Sequence, residues 1–246
     1  MRAAYELDAR IHNDYVLAEL TQRVEEEMGI ACGFADRYVP IFGGLAYIDY
    51  RNKLLHAPVD AEPYATYERL DQYVGALPLV VCSTGISRDS GDVHGIMRPR
   101  YLEEYAAYQT EAGPAVPPPF MLRIMARIGA TAWRGKIALL KADWETFGAL
   151  MNENHRLVDE MMAYCGIRDE GVEATNRLID GALAAGALGA KLTGAGARGS
   201  VFALVRPGEE PRVAEAFLRV ARQVGLSEAT VFVPQIARQG LIVEEP

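Results

Sequence analysis

Between Asn13 and Met28, apolar residues fall at Leu17, Leu20, Val24 and Met28. Steps of three and four place them along one helix face, with Asn13 or Asp14 as a cap and Gly29 as a stop. A second, short helical stretch is expected from Phe34. Gly43-Gly44 break that pattern, and Leu45 to Tyr50 then alternate as a strand, with Arg51-Asn52 offering a turn into another. Leu77 to Cys82 is a continuous apolar run of the buried-strand kind, leading into a polar loop from Ser83 to Asp92. Helix is expected from Arg98 to Thr110, Phe120 to Ile128, Trp144 to Tyr164 and Val172 to Ala185. The proline-rich stretch Glu111 to Pro119 interrupts the first two. The rhythm then changes: glycine-rich from Lys191 to Gly199, strand from Val201 to Val205, helix from Pro211 to Val224, strand from Thr230 to Val233. Strand, helix and strand in succession fit an α+β layer.

The chain has 246 residues, 50% of them hydrophobic, enough for one or two cores. Its net charge of −8 argues against a role on nucleic acid or on anionic membranes. Cys32, Cys82 and Cys165 are too few and too widely spaced for a zinc site or a disulfide framework, and read as reduced core residues. No apolar run is long enough to span a bilayer, and the N-terminus lacks the apolar core of a signal peptide, so the cytoplasm is expected.

The sharpest local signal is KLTGAGARGSVFALV, Lys191 to Val205. Gly194, Gly196 and Gly199 match GxGxxG in form, but the segment runs into a β-branched apolar strand. A dinucleotide-binding fingerprint requires a helix there, and no GK[ST] follows for a Walker loop. What remains is a tight loop between two strands. Its glycines permit close approach to a ligand, and successive backbone N–H groups can form an anion nest. A glycine-rich hairpin without a ligand fits the bare pattern equally well.

The second signal is MGIACGFADRYVPIFGGLAYIDY, Met28 to Tyr50. Asp36 sits beside Arg37, which keeps a carboxylate ionised and able to orient or deprotonate a hydroxyl. A surface ion pair or helix cap is the alternative reading.

Taken in order, these segments resemble the GHMP kinases. KLTGAGARGS is similar to the family's third motif, GFADRY followed by FGG to its Gly-x-x-Asp segment, and MNENHRLVDEMMAYCGI (Met151 to Ile167) to the helix before the third motif. Within the superfamily, VEEEMGIACGFADRYVPIFGGLAYIDY and GDVHGIMRPRY (Gly91 to Tyr101) resemble the glucuronokinase and sugar-1-kinase branch. STGISRDS (Ser83 to Ser90) is closer to heptose-phosphate kinases. The implied fold is α+β: a remnant of the N-terminal kinase domain over residues 1–75, then a C-terminal domain over 76–246 built as an α/β plait with additional helices. The implied activity is transfer of the ATP γ-phosphate to a sugar or uronic-acid hydroxyl, the anomeric one first, with ATP and Mg2+ as cofactors.

By the same resemblance, Asp36 is the base or orienter, and Gly194, Ala195, Gly196 and Gly199 form the loop that supports the nucleotide. Arg37, Arg88, His94, Arg98 and Arg100 are candidates for a substrate carboxylate or phosphate, a task that suits the guanidinium fork. Glu25 is the candidate metal ligand, with Glu26 and Glu27 as neighbouring candidates and a solvated acidic face as the alternative for all three.

Two departures from the pattern stand out. Arg198 replaces a usual glycine in the third motif. The family's Pro-x-x-x-Gly-Leu-Gly-Ser-Ser phosphate loop has no counterpart ahead of Asn13, and phosphoryl transfer depends on such positioning. The expectations are therefore a kinase whose phosphate-loop part comes from an earlier start or a separate chain, or a non-catalytic binding protein derived from a kinase. Apolar surface left where that part packs favours a homodimer or a covering partner.

Overall fold

The structure is a computed structural model, and it describes residues 13–30, 33–50, 64–86, 90–111, 116–194, 196 and 199–242. The expected turn at Arg51-Asn52, together with Cys32, Arg88, Ala195 and Arg198, lies outside the described residues. The chain divides into two compact units, Met1–Gly75 with Ile236–Pro246, and Ala76–Gln235.

In the first unit, helices α1 (Asp14–Glu27) and α2 (Ala35–Phe42) accompany a two-stranded antiparallel sheet of β1 (Ala46–Asp49) and β2 (Thr66–Arg69). Asn13 caps α1, its side chain accepting from Tyr15 N at 3.0 Å and Val16 N at 3.2 Å. The core is small and aromatic: Ala18, Tyr38, Ala65 and Tyr67 are buried, and Phe42 packs between Tyr15 and Tyr67 at centroid distances of 4.8 and 4.7 Å. The expected apolar stripe on α1 is only partly used. Leu17 is buried, but Val24 is 38% and Met28 70% exposed. Glu19 and Gln22 are buried instead, and Glu19 accepts from the Tyr38 hydroxyl of the neighbouring α2.

The second unit begins with β3 (Leu79–Ser83) and continues through four helices: α3 (Ser90–Glu111), α4 (Phe120–Leu140), α5 (Trp144–Tyr164) and α6 (Glu170–Ala184). The hairpin β4 (Gly189–Leu192) and β5 (Ser200–Leu204), helix α7 (Glu210–Gln223) and β6 (Thr230–Phe232) complete it. The sheet is antiparallel with spatial order β4-β5-β3-β6. Counting strands within this unit, that order is 2-3-1-4, the split arrangement of an α/β plait. Val80 and Cys82 on β3, Ala190 on β4, and Val201 and Ala203 on β5 alternate onto one face. There they meet Leu178, Ile179 and Ala182 of α6 and Val213, Phe217 and Val220 of α7. A second layer packs Met121 and Ile124 of α4 against Leu157 and Met161 of α5.

Local chemistry sets the helix starts. Asp143 accepts from Thr146 N, and Asp169 accepts from both Gly171 N and Val172 N. Two helices run longer than the hydrophobic pattern predicts. Residues 91–97, expected partly as loop, form the first turns of α3, where Val93 is fully buried. Helix α4 continues past Ile128 to Leu140, through Gly129 and Gly135, and at Gly135 an added Cβ would lie 3.3 Å from the Phe147 ring. Cys82 and Cys165 are free thiols, Cys82 buried in the core and Cys165 half-buried.

Candidate active site

The first unit holds the acidic segment. Helix α2 starts without a side-chain cap, and Asp36 lies in its first turn. Successive residues face opposite environments: the Asp36 side chain is 57% exposed, whereas that of Arg37 is 7% exposed. The Arg37 guanidinium pairs with Glu25 of α1, and its Nη1 lies 3.7 Å from Asp36 Oδ2. Burial lowers the Arg37 pKa, but a guanidinium remains charged throughout the physiological range. Tyr38, next along, donates from its hydroxyl to Glu19 and accepts from Ala65 N at 3.1 Å. Asp36, Arg37 and Glu25 are therefore brought together.

Tyr50, just beyond β1, belongs to the same group. Its hydroxyl is buried with no hydrogen-bond partner, as is Arg37 Nε. Burial pushes its phenol pKa up, and the charge of Asp36 adds to the shift. Phe34 packs on its ring at 5.6 Å between centroids.

The second unit holds the glycine-rich loop, which does join two antiparallel strands. Thr193 N donates to Ser200 O at 3.0 Å and closes its base. Gly194 and Gly196 take φ of +64° and +86°, which side chains resist. Gly199 is held from β3's end: its carbonyl accepts from Thr84 N at 3.0 Å and from Thr84 Oγ1 at 2.8 Å.

The strand feeding the loop is braced by α5. Asn152 spans two backbone groups of β4's edge, accepting from Ala190 N at 2.9 Å and donating to Leu188 O at 3.4 Å. Lys191 turns its ammonium back onto Leu192 O at 2.8 Å, 5.3 Å from the Phe202 ring centroid. Burial lowers its pKa to about 8. Beside it, His155 is 8% exposed and its Nδ1 has no partner. Thr84, Asn152 and His155 carried no functional signal in the sequence. A lone threonine after a strand has no pattern, and polar residues inside a helix look like solvent-facing ones.

The basic candidates on α3 do not form one cluster. His94 and Arg98 lie four residues apart on one helix face. Arg100 is committed elsewhere: Glu104 lies at 3.2 Å, Glu103 at 3.3 Å and the Tyr164 hydroxyl at 3.0 Å. It borders an open cavity of about 510 Å³ with Ile96, Pro99, Tyr164 and Cys165. Two carboxylates already neutralise its charge, which leaves little attraction for an anionic ligand.

Residues 136–223, from the end of α4 through α7, match the family described as GHMP kinases C terminal. The chain carries a GHMP kinase C-terminal domain. Mevalonate kinase of Pyrococcus furiosus is 30% identical over 174 residues, covering 69% of this chain and 44% of that protein. Probable glucuronokinase 2 of Arabidopsis thaliana is 31% identical over 190 residues, covering 76% of this chain and 45% of that protein. The crystal structure of Lactococcus lactis galactokinase complexed with galactose shares the fold with a TM-score of 0.60 at 19% identity, over 88% of this chain and 57% of that one. The chain thus spans about half the length of the curated relatives it matches. The glycine-rich segment is the loop between β4 and β5; Met151 to Ile167, expected as the helix ahead of it, lies on and just beyond α5, and α6 intervenes before β4.

GHMP kinases use ATP, generally with Mg2+. The donors described in this chain do not fit a divalent metal at Glu25. Its carboxylate is taken by a guanidinium, and no three His, Cys, Asp or Glu side chains converge among the described residues.

Proposed function

We propose that this chain contributes the acceptor base and the C-terminal loop of a GHMP-type kinase that phosphorylates a small-molecule hydroxyl, with a sugar or uronic acid as first choice of acceptor. The observation that carries the reading is the glycine-rich loop between two antiparallel strands of a GHMP C-terminal domain, with left-handed glycines and a threonine clamp at its base. Asp36, exposed next to a buried cation, is the group suited to a hydroxyl proton. As the acceptor oxygen bonds to the γ-phosphorus, the bond from that phosphorus to the β-phosphate oxygen breaks. ADP leaves with the electron pair, and the acceptor's proton passes to Asp36. Gly194, Gly196 and Gly199 offer backbone N–H groups to the phosphates.

The GLGSS-type phosphate loop is not among these 246 residues, so turnover depends on polypeptide that supplies it, in the same chain or another. A homodimer or a covering partner, in the cytoplasm, is part of the same reading. A kinase-derived binding protein is the second reading, favoured by the neutralised Glu25.

The test is ATP turnover with uronic acids, hexoses and mevalonate as acceptors, on this chain supplied with the phosphate-loop half of the fold. One acceptor is expected to turn over. Asp36→Asn is expected to lower kcat by roughly 10²- to 10⁴-fold with ATP affinity unchanged. Near-normal turnover in that variant refutes the role of Asp36, and ATP binding without turnover of any acceptor favours the second reading.

A further inference from the structure

We infer that Arg37 is a resident cation for Glu25, occupying the place at which the kinase reading puts a metal, so that this chain holds no divalent ion there. The inference takes the metal role of Glu25 from that reading and rests otherwise on the geometry of the first unit.

Glu25 lies in the last turn of α1 and Arg37 near the start of α2, and the two helices bring the side chains into an ion pair. The pair is sheltered, with side-chain exposures of 29% for Glu25 and 7% for Arg37. The guanidinium fork reaches a second carboxylate on its other arm, Asp36 Oδ2 at 3.7 Å from Nη1. One cation therefore bridges two carboxylates.

A magnesium ion bound to Glu25 would sit within a few ångströms of that guanidinium. It would need oxygen ligands at about 2.1 Å in near-octahedral order, where Arg37 presents only N–H donors. To admit the metal, Arg37 must give up its ion pair. Its buried guanidinium then keeps one partner, the largely exposed Asp36, and a buried charge stripped of its partner is costly. The Arg37 Nε–H, buried and without an acceptor, indicates that the side chain is fixed by packing and by Glu25 rather than by a saturated hydrogen-bond shell. Arginine serves here where lysine would not, because a single ammonium lacks the planar fork that spans two carboxylates.

Manganese is the probe, titrated into the full chain and followed by electron paramagnetic resonance and by the ¹⁵N-resolved Arg37 Nε–H signal. The wild type is expected to show no saturable Mn2+ site that Mg2+ competes for, and the Arg37 signal is expected to stay sharp. A saturable site that broadens the Arg37 signal overturns the inference. Arg37→Met is expected to gain one Mn2+ site, lost again when Glu25→Gln is added. If Arg37→Met folds and gains no site, Arg37 is not what excludes the metal and the inference fails. If it does not fold, the wild-type measurements decide. Neither readout requires turnover, so failure here leaves the phosphotransfer reading intact, and failure of turnover leaves this inference intact.

Discussion

Replacing Gly148 by alanine puts helix propensity and packing in direct opposition. In an exposed helix interior the change is favourable by about 1 kcal/mol. At Gly148, however, the new Cβ would lie 2.5 Å from Leu188 O and 2.6 Å from its carbonyl carbon. That is about 1 Å inside an ordinary carbon contact. The obstacle is backbone, and the contact is tight from the other side too, since a Cβ on Gly189 would lie 2.3 Å from Gly148 O. Relief requires α5 to back away from β4, which stretches the two Asn152 hydrogen bonds to Leu188 and Ala190. Overpacking costs about 1–3 kcal/mol, and each loosened hydrogen bond about 1 kcal/mol. Packing wins, with a net loss of about 3 kcal/mol and a fall in Tm of about 6–12 °C for a chain of this size. Gly129→Ala in α4 is the control. It sits in a helix of the same unit, nothing lies within 4 Å of its new Cβ, and Tm should rise by about 2–4 °C. Circular dichroism melts of the three proteins suffice. A Gly148→Ala protein as stable as the parent would mean that α5 does not rest on β4 as described, and the brace under the glycine-rich loop would be withdrawn.

Tyr50→Phe should raise Tm by several degrees, because it removes a buried hydroxyl that has no partner, and such a group costs about 1–3 kcal/mol; a fall in Tm would show that the hydroxyl is paired. His155 should make stability acid-sensitive. Burial holds its folded pKa below the ordinary value, with Lys191 adding to the shift while Asp159, Asn176 and Asp180 oppose it. The unfolded chain therefore takes a proton near pH 6.5 that the folded chain refuses, and stability drains away as pH falls below about 6.5 toward the depressed folded value. Urea titrations at a series of pH values should show that slope and should show it reduced in His155→Gln; an unchanged slope would exclude His155 as its source.

How much of this was legible in the sequence depended on where the deciding partner lay. The loop from Lys191 to Gly199 was readable as strand–loop–strand because the apolar run of β5 follows it directly. The helix expected from Trp144 to Tyr164 is α5 with the same bounds. The start of α3 was not readable, because Gly91, Gly95 and Pro99 are poor helix formers and only the burial of Val93 shows why the turns form. The polar face of α1 was misjudged for a different reason. Leu17, Leu20, Val24 and Met28 do share a face, but the neighbouring α2 supplies Arg37 and Tyr38, which pair with Glu25 and Glu19. Pattern identifies which residues share a face; the partner decides which face is buried. At the candidate site, the Asp36–Arg37 pair was visible as neighbours, but its third member, Glu25, was visible only as one of three glutamates.

Gly43-Gly44 illustrate the same dependence over a longer distance. On sequence they are a break between α2 and β1. In the structure they are a seat for the chain's last described stretch. Gly43 takes a φ of +65°, and a Cβ there would lie 2.5 Å from the backbone of Gln239 and Gly240. Gly44 N donates to Ala237 O at 2.7 Å, Leu241 N donates to Ile41 O at 3.2 Å, and Arg69, forked onto Asp71, also donates to Arg238 O at 2.7 Å. Helix α2 needs such support. It has eight residues, Pro40 inside it and no side-chain cap, far below the length at which an isolated helix persists. Its first turn carries Asp36, and its last turn is tied to a segment about two hundred residues further along. The conformation of the candidate base therefore depends on the return of the chain, and no window of sequence around Asp36 contains that information.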